Sequence, residues 1–289
     1  MYDVLNKFLY LTDLSIKMIR KAVVAYQFYP GNPEELKKQI KYFFSRVKEK
    51  KRKNYGMISP HAGYVYSGQT AAYSFAQLQK ADTYIILGTN HSSLDNTVST
   101  DDFETPFGIV ENDIKFSGSL LKNSILTQDS QRYEHSIEVQ IPFLQYLVKN
   151  PKIVPITIAT HDLEKIKKIA ASIMETANAL KRKIYIIASS DFTHYGYSYE
   201  FVPFPQQEAE KKLKKLDENI ISFILKMDTK GFLDNAKKTT ICGQGAIAVA
   251  IECCKRLRAR KATLLKYSNS AEISKSYDNV VDYASIVFI

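Results

Sequence analysis

The 289-residue sequence contains no tryptophan, three cysteines and no long apolar run. Cys242, Cys253 and Cys254 are too few for a disulfide framework. The apolar stretches all fall short of the roughly 18 residues of a membrane-crossing helix. The N-terminus, Met1-Tyr-Asp-Val-Leu-Asn, lacks a basic region ahead of an apolar stretch, so it does not read as a secretory signal. A cytoplasmic location is the default expectation. There is no internal repeat, low-complexity tract or linker, and one α/β domain is the simplest reading. Local metal-site patterns of the His-Glu-x-x-His type are also missing.

Negative charge is in short supply. Forty Lys and Arg stand against thirty Asp and Glu, for a formal net charge of +10. The cations cluster at 37–53, 211–215 and 255–261. They are interleaved with apolar residues such as Leu36, Ile40, Phe43, Phe44 and Val47. That spacing predicts solvated faces of amphipathic helices. No nucleic-acid recognition motif accompanies the charge, so a nucleic-acid partner is disfavoured. Abundant Lys, Tyr and Ile without Trp would suit a heat-adapted protein.

What is present is an alternation of short apolar strands and helices. Residues 1–18 carry scattered apolar residues and read as an N-terminal extension ahead of the domain at 19–289. Residues 22–28 read as a strand. Asn32-Pro33-Glu34-Glu35 is a helix start, with Asn32 capping and Pro33 in the first turn, and that helix is expected to run to about Lys50. Buried strands follow at 55–59, 83–87, 153–159 and 184–188, with terminal strands at 262–267 and 280–289. Pro155 inside its strand points to an edge or a bulge. Helices are expected after each of the first strands, and Pro142 should start or kink the one near 140. The pattern predicts a mixed, mostly parallel central sheet covered on both faces by helices.

The chemistry-bearing residues stand at strand ends. His61 follows 55–59 within Pro60-His-Ala-Gly-Tyr-Val-Tyr-Ser-Gly68. His91 follows 83–87. Asp191 and His194 follow 184–188. In a parallel sheet these ends share one edge, where ligands bind. Cys242 sits near a helix start, where the helix dipole would favour a thiolate. Two imidazoles and a thiolate are apt ligands for iron, copper or zinc. His194 could act as a general base with Asp191 orienting it. His135 and Glu138, three apart, share a helix face.

Five ordered motifs closely resemble the Memo family. They are Pro60 to Gly68, Asn90-His-Ser92, Glu134-His-Ser-Ile-Glu138, Ser190-Asp-Phe-Thr-His-Tyr-Gly196 and Cys242-Gly-Gln-Gly245. The chain departs from the family pattern at Tyr26-Gln27 and at Thr89. The resemblance implies a fold like that of class III extradiol dioxygenases, which bind non-haem iron. It implies a metal triad of His61, His91 and Cys242, with iron or copper ahead of zinc. It places His194 at the catalytic-base position, with Asp191, His135 and Glu138 nearby. It further implies oxidoreductase-type chemistry on a small molecule, and a functional association with AMMECR1-like and radical-SAM proteins. Two alternatives stand beside this reading. One is a non-enzymatic peptide- or partner-binding protein that reuses the pocket. The other is a metal-assisted hydrolase.

Overall fold

The computed structural model describes residues 18–123 and 126–289. All but the last residue of the expected 1–18 extension lies outside the described residues. In chain order the elements are β1 (Ile19–Arg20), α1 (Pro33–Ser45), β2 (Gly56–Ser59), α2 (Tyr64–Phe75), β3 (Thr83–Thr89), β4 (Thr97–Val98), β5 (Asp102–Thr105) and β6 (Gly108–Asn112). Then come α3 (Ile114–Asn123), β7 (Thr127–Gln128), α4 (His135–Glu138), α5 (Ile141–Leu147), β8 (Lys152–Ile158), α6 (Leu163–Ala179), β9 (Ile184–Ser189) and β10 (His194–Gly196). The last are α7 (Ala209–Leu225), α8 (Thr229–Ala236), α9 (Gln244–Arg256), β11 (Ala262–Asn269), α10 (Ala271–Ser274) and β12 (Asn279–Phe288).

The sheet is mixed with a parallel centre. Strands β6, β8, β3, β9 and β2 lie side by side in that order and run parallel. β12 pairs antiparallel with β2, and also with β11 and β10. The central strands are apolar on both faces because both are covered. Ile85, Leu87, Ile186 and Ala188 pack into the core beneath α6 and α9. Their neighbours Tyr84, Ile86, Tyr185 and Ile187 point the other way, into the core beneath α1, α2 and α5. The expected single-domain α/β sheet is what the chain forms.

Three local expectations need correction. The first helix ends at Ser45 rather than near Lys50. Its buried stripe is Leu36, Ile40 and Phe43. Residues 48–53 are all charged, so a further turn would have no apolar side to bury. Residues 22–28 do not form a strand. The amides of Val23 and Val24 donate instead to the buried Glu138 carboxylate, at 3.0–3.1 Å. A side chain thus satisfies the donors that a neighbouring strand would have taken. Pro155 lies inside the sheet. β8 meets β6 at Lys152 and Ile153 and β4 at Ile156 and Thr157. Pro155 falls between these partners, where no ladder donor is needed. Pro142 does begin a helix, at the first turn of α5.

Candidate metal centre

Three neighbouring strands place a side chain at the same offset. His61, His91 and Asp191 each stand two residues beyond the end of β2, β3 and β9. Ser59 is in register with Ser189, and Leu87 with Ala188. The three loops therefore leave the sheet on one edge. Helix α4 brings His135 to the same place, and the loop before α9 brings Cys242.

The imidazoles form a tight group. One ring nitrogen each from His61, His91 and His135 lie within 4.8 Å of one another. The His91 and His135 rings stack at 4.7 Å between centroids. His61 stands edge-on to both, at 5.6 and 5.3 Å. His61 is 2% exposed. Burial and the neighbouring His91 lower its pKa to about 3. Burial and His61 lower that of His135 to about 4. Both rings are therefore neutral near pH 7, the form that ligates metals.

Hydrogen bonds fix which nitrogen is free. The Ser189 hydroxyl donates to the Ser136 carbonyl at 2.6 Å and accepts from the Gln140 amide at 2.8 Å. His61 Nδ1, 3.0 Å from the same oxygen, must then be the donor. Its Nε2 lone pair is left facing the site. His91 Nδ1 lies 3.0 Å from a Glu134 oxygen, and the His91 amide donates to the other at 2.9 Å. Burial pushes the Glu134 carboxyl up, but the His91 and Ser136 donors prevail and bring it down to about 2. Glu134 is thus an acceptor that holds His91 with Nε2 free. A ligand imidazole backed by a carboxylate or hydroxyl is the usual arrangement around a metal.

Cys242 Sγ stands 3.3 Å from His61 Nε2 and 3.7 Å from the Asp191 carbonyl oxygen. Gly243 lets the chain pass this close. A Cβ there would meet the Ser190 side chain at 2.4 Å. The expected low thiol pKa does not follow. Burial, and then the Asp191 charge, push Cys242 up to about 12. These outweigh the helix start, so the thiol is neutral without a cation beside it.

Asp191 does not orient His194. Its Oδ1 accepts from the amides of His61 at 2.8 Å and Ala62 at 3.3 Å, which clamps the His61 loop. His194 is held by Thr240 instead. The Thr240 carbonyl lies 3.0 Å from Nδ1, and its hydroxyl accepts from the His194 amide at 2.8 Å. Nε2 of His194 is consequently its free nitrogen.

Glu138 shares the short helix with His135 but turns its carboxylate to another task. It is fully buried and pairs with Arg20. It also accepts from Val23, Val24 and Tyr29. These bonds pin the segment before α1 and run to no imidazole. Glu134, Ser189, Gln140 and Thr240 carry the positioning and were not singled out from sequence. Glu134 had the clearest signal, since it stands directly before His135 in one of the five motifs.

A family model described as Memo-like protein matches residues 20–287. A MEMO1 family protein of Methanosarcina barkeri is 39% identical over 276 residues, covering 93% of this chain and 99% of that one. One from Pyrococcus furiosus is 39% identical over 289 residues, with 93% and 99% coverage. In fold, the chain is similar to the crystal structure of uncharacterized protein JW3007 from Escherichia coli K12. The TM-score is 0.52 at 10% identity, over 81% of this chain and all of that one. No helix among the described residues is long and apolar enough to cross a membrane. With the motif histidines gathered at one sheet edge and the family match running from Arg20 almost to the end of the last strand, the chain belongs to the Memo family.

Proposed function

We propose that this pocket holds a redox-active metal, iron or copper, and oxidises a small molecule bound beside it, with dioxygen as the electron acceptor. The observation that carries the reading is the trio His61, His91 and His135, with donor nitrogens within 4.8 Å. The donor set fits such an ion. Ser189 and Glu134 fix two tautomers with Nε2 free, and Cys242 Sγ lies against His61 Nε2. His61 and His91 are the constant pair, and Cys242 and His135 are the candidates for the third position. Cys242 must lose its proton to bind, and a cation at His61 Nε2 would favour that loss. Imidazole with thiolate suits iron or copper. The bound ion would supply electron transfer from the substrate to dioxygen. His194 would take or give a proton through Nε2, held by Thr240, and Asp191 would keep the His61 loop in place.

The test is oxygen uptake with a phenolic substrate by iron- or copper-loaded protein, wild type beside His194→Gln. Turnover in the wild type is expected, falling by roughly 10²-fold in the variant at unchanged metal content. Absence of turnover with either metal would overturn it. A second reading, a peptide-binding pocket without turnover, is favoured by exposed tyrosines close in sequence to residues of the site. Tyr133, beside Glu134, is 74% exposed, and Tyr197, three residues past His194, is 85% exposed. Unit zinc with hydrolysis would instead favour the metal-assisted hydrolase.

A further inference from the structure

The opposite edge of the sheet, where β3, β9 and β2 begin, carries a second cleft. It encloses about 260 Å³ and is lined by Lys53, Lys80, Arg182 and Lys183 above a floor that includes Tyr55, Met174 and Leu257. Lys53, Lys80 and Lys183 are exposed, and their ammonium groups have no hydrogen bond or ion pair among the described residues. Only Arg182 is engaged, with Asp113 at 3.1 Å.

The charge extends beyond the cleft. Five of the six residues 48–53 are Lys or Arg. They were expected on a helix face, but α1 stops at Ser45, so they form an irregular strap. Buried amides hold that strap in place. Gln77 accepts from the Arg52 amide at 2.9 Å and donates to the Lys50 carbonyl at 3.2 Å. Asn54 donates to the carbonyls of Arg52 and Gln77 at 3.0 and 2.8 Å. The backbone is fixed and the cations project outward. Arg258, Arg260 and Lys261 precede β11, which pairs with β12 at this same edge. The amides of Arg260 and Lys261 are tied to the Ile289 carbonyl.

Although the sequence carries no nucleic-acid recognition motif and disfavours such a partner, the cation-lined cleft leads to the opposite reading, and we propose that this edge binds single-stranded nucleic acid, with phosphates along the strap and a base in the cleft against Tyr55. The fixed row of cations suits a repeating backbone charge better than one small anion. A part-buried aromatic floor offers a stacking surface for a base of any sequence. None of the exposed large apolar residues lies in 46–56, 76–83, 181–184 or 257–262. The face therefore has no anchors for a lipid surface. This inference is independent of the metal pocket.

The experiment is fluorescence anisotropy of a labelled 20-nucleotide oligouridylate with the full chain. Four neutralised phosphates would give a log–log salt slope of about −3, or roughly 50-fold weaker binding at 200 mM than at 50 mM salt. Lys53→Gln/Lys80→Gln/Lys183→Gln should weaken binding more than about tenfold and cut the slope by about 2. Lys211→Gln/Lys214→Gln/Lys215→Gln on α7 removes the same charge from exposed positions elsewhere and should leave binding within about twofold. His61→Ala should also bind normally. All these side chains but His61 are exposed, and circular dichroism verifies folding. No binding at 50 mM salt would overturn the proposal. So would equal loss in the two triple variants, or binding to phosphatidylserine vesicles without binding to the oligonucleotide.

Discussion

His61 meets Cys242 across 181 residues of sequence, with Nε2 standing 3.3 Å from Sγ. Because Ser189 holds the other ring nitrogen, this is the face on which His61 has a lone pair to offer. A neutral thiol and a neutral imidazole at that distance share one proton. A cation there would displace the proton and turn the contact into two ligands.

Ser189→Ala should loosen that arrangement without breaking the fold. The variant frees His61 Nδ1 and leaves the Gln140 side-chain amide with the Pro60 carbonyl alone as acceptor. We expect a stability loss of about 1–3 kcal/mol and metal affinity lower by about 10- to 100-fold. Chelator competition reads the second effect. Unchanged affinity would contradict the role given to Ser189.

Two ion pairs beside one another in sequence should differ sharply in worth. Arg20 and Glu138 are 1% and 0% exposed, whereas Lys21 and Glu104 are 73% and 38% exposed. Arg20→Met strands a buried carboxylate and should cost about 3–5 kcal/mol. Lys21→Ala should cost less than about 1 kcal/mol. Urea denaturation of both variants checks the contrast, and similar losses would refute it.

Beneath the loop that carries His194 lie two buried carboxyls, Asp217 and Asp282, that interact electrostatically. The Thr193 hydroxyl donates to Asp217 Oδ1 at 2.5 Å and Tyr267 to Oδ2 at 3.1 Å. Burial raises the pKa of Asp217 to about 6, and burial together with the Asp217 charge raises Asp282 further above the usual carboxylate range. The folded state thus binds these protons more tightly than the unfolded chain. Their stabilising effect is complete below the unfolded value near 3.8 and is lost as pH rises through about 6 and beyond. Asp282→Asn removes the second ionisation. Its melting temperature minus that of the wild type should therefore climb from pH 4 to pH 8. A flat or falling difference would contradict the coupling.

Much of the site was legible because its signal is local. An apolar strand followed two residues later by His or Asp needs no long-range information, and parallel strands bring such ends to one edge. The central sheet was legible for the same reason. The supporting groups were not. Glu134 and His91 are 43 residues apart, and Ser189 and His61 are 128 apart, so no spacing in the chain records either bond. Residues 22–28 misled because they have strand-forming side chains, while the amides of Val23 and Val24 turn to Glu138 and those of Tyr26, Gln27 and Phe28 close a local turn. Cys242 misled because proximity to a helix start says nothing of burial, which sets its pKa.

Elemental analysis of anaerobically purified protein tests the central claim most directly, with wild type, His61→Ala and Cys242→Ser measured together. About one iron or copper per wild-type chain is expected. That metal should be lost in His61→Ala and lost or weakened in Cys242→Ser, depending on whether Cys242 or His135 is the third ligand. No metal in the wild type even after reconstitution, or equal metal in His61→Ala, would contradict it.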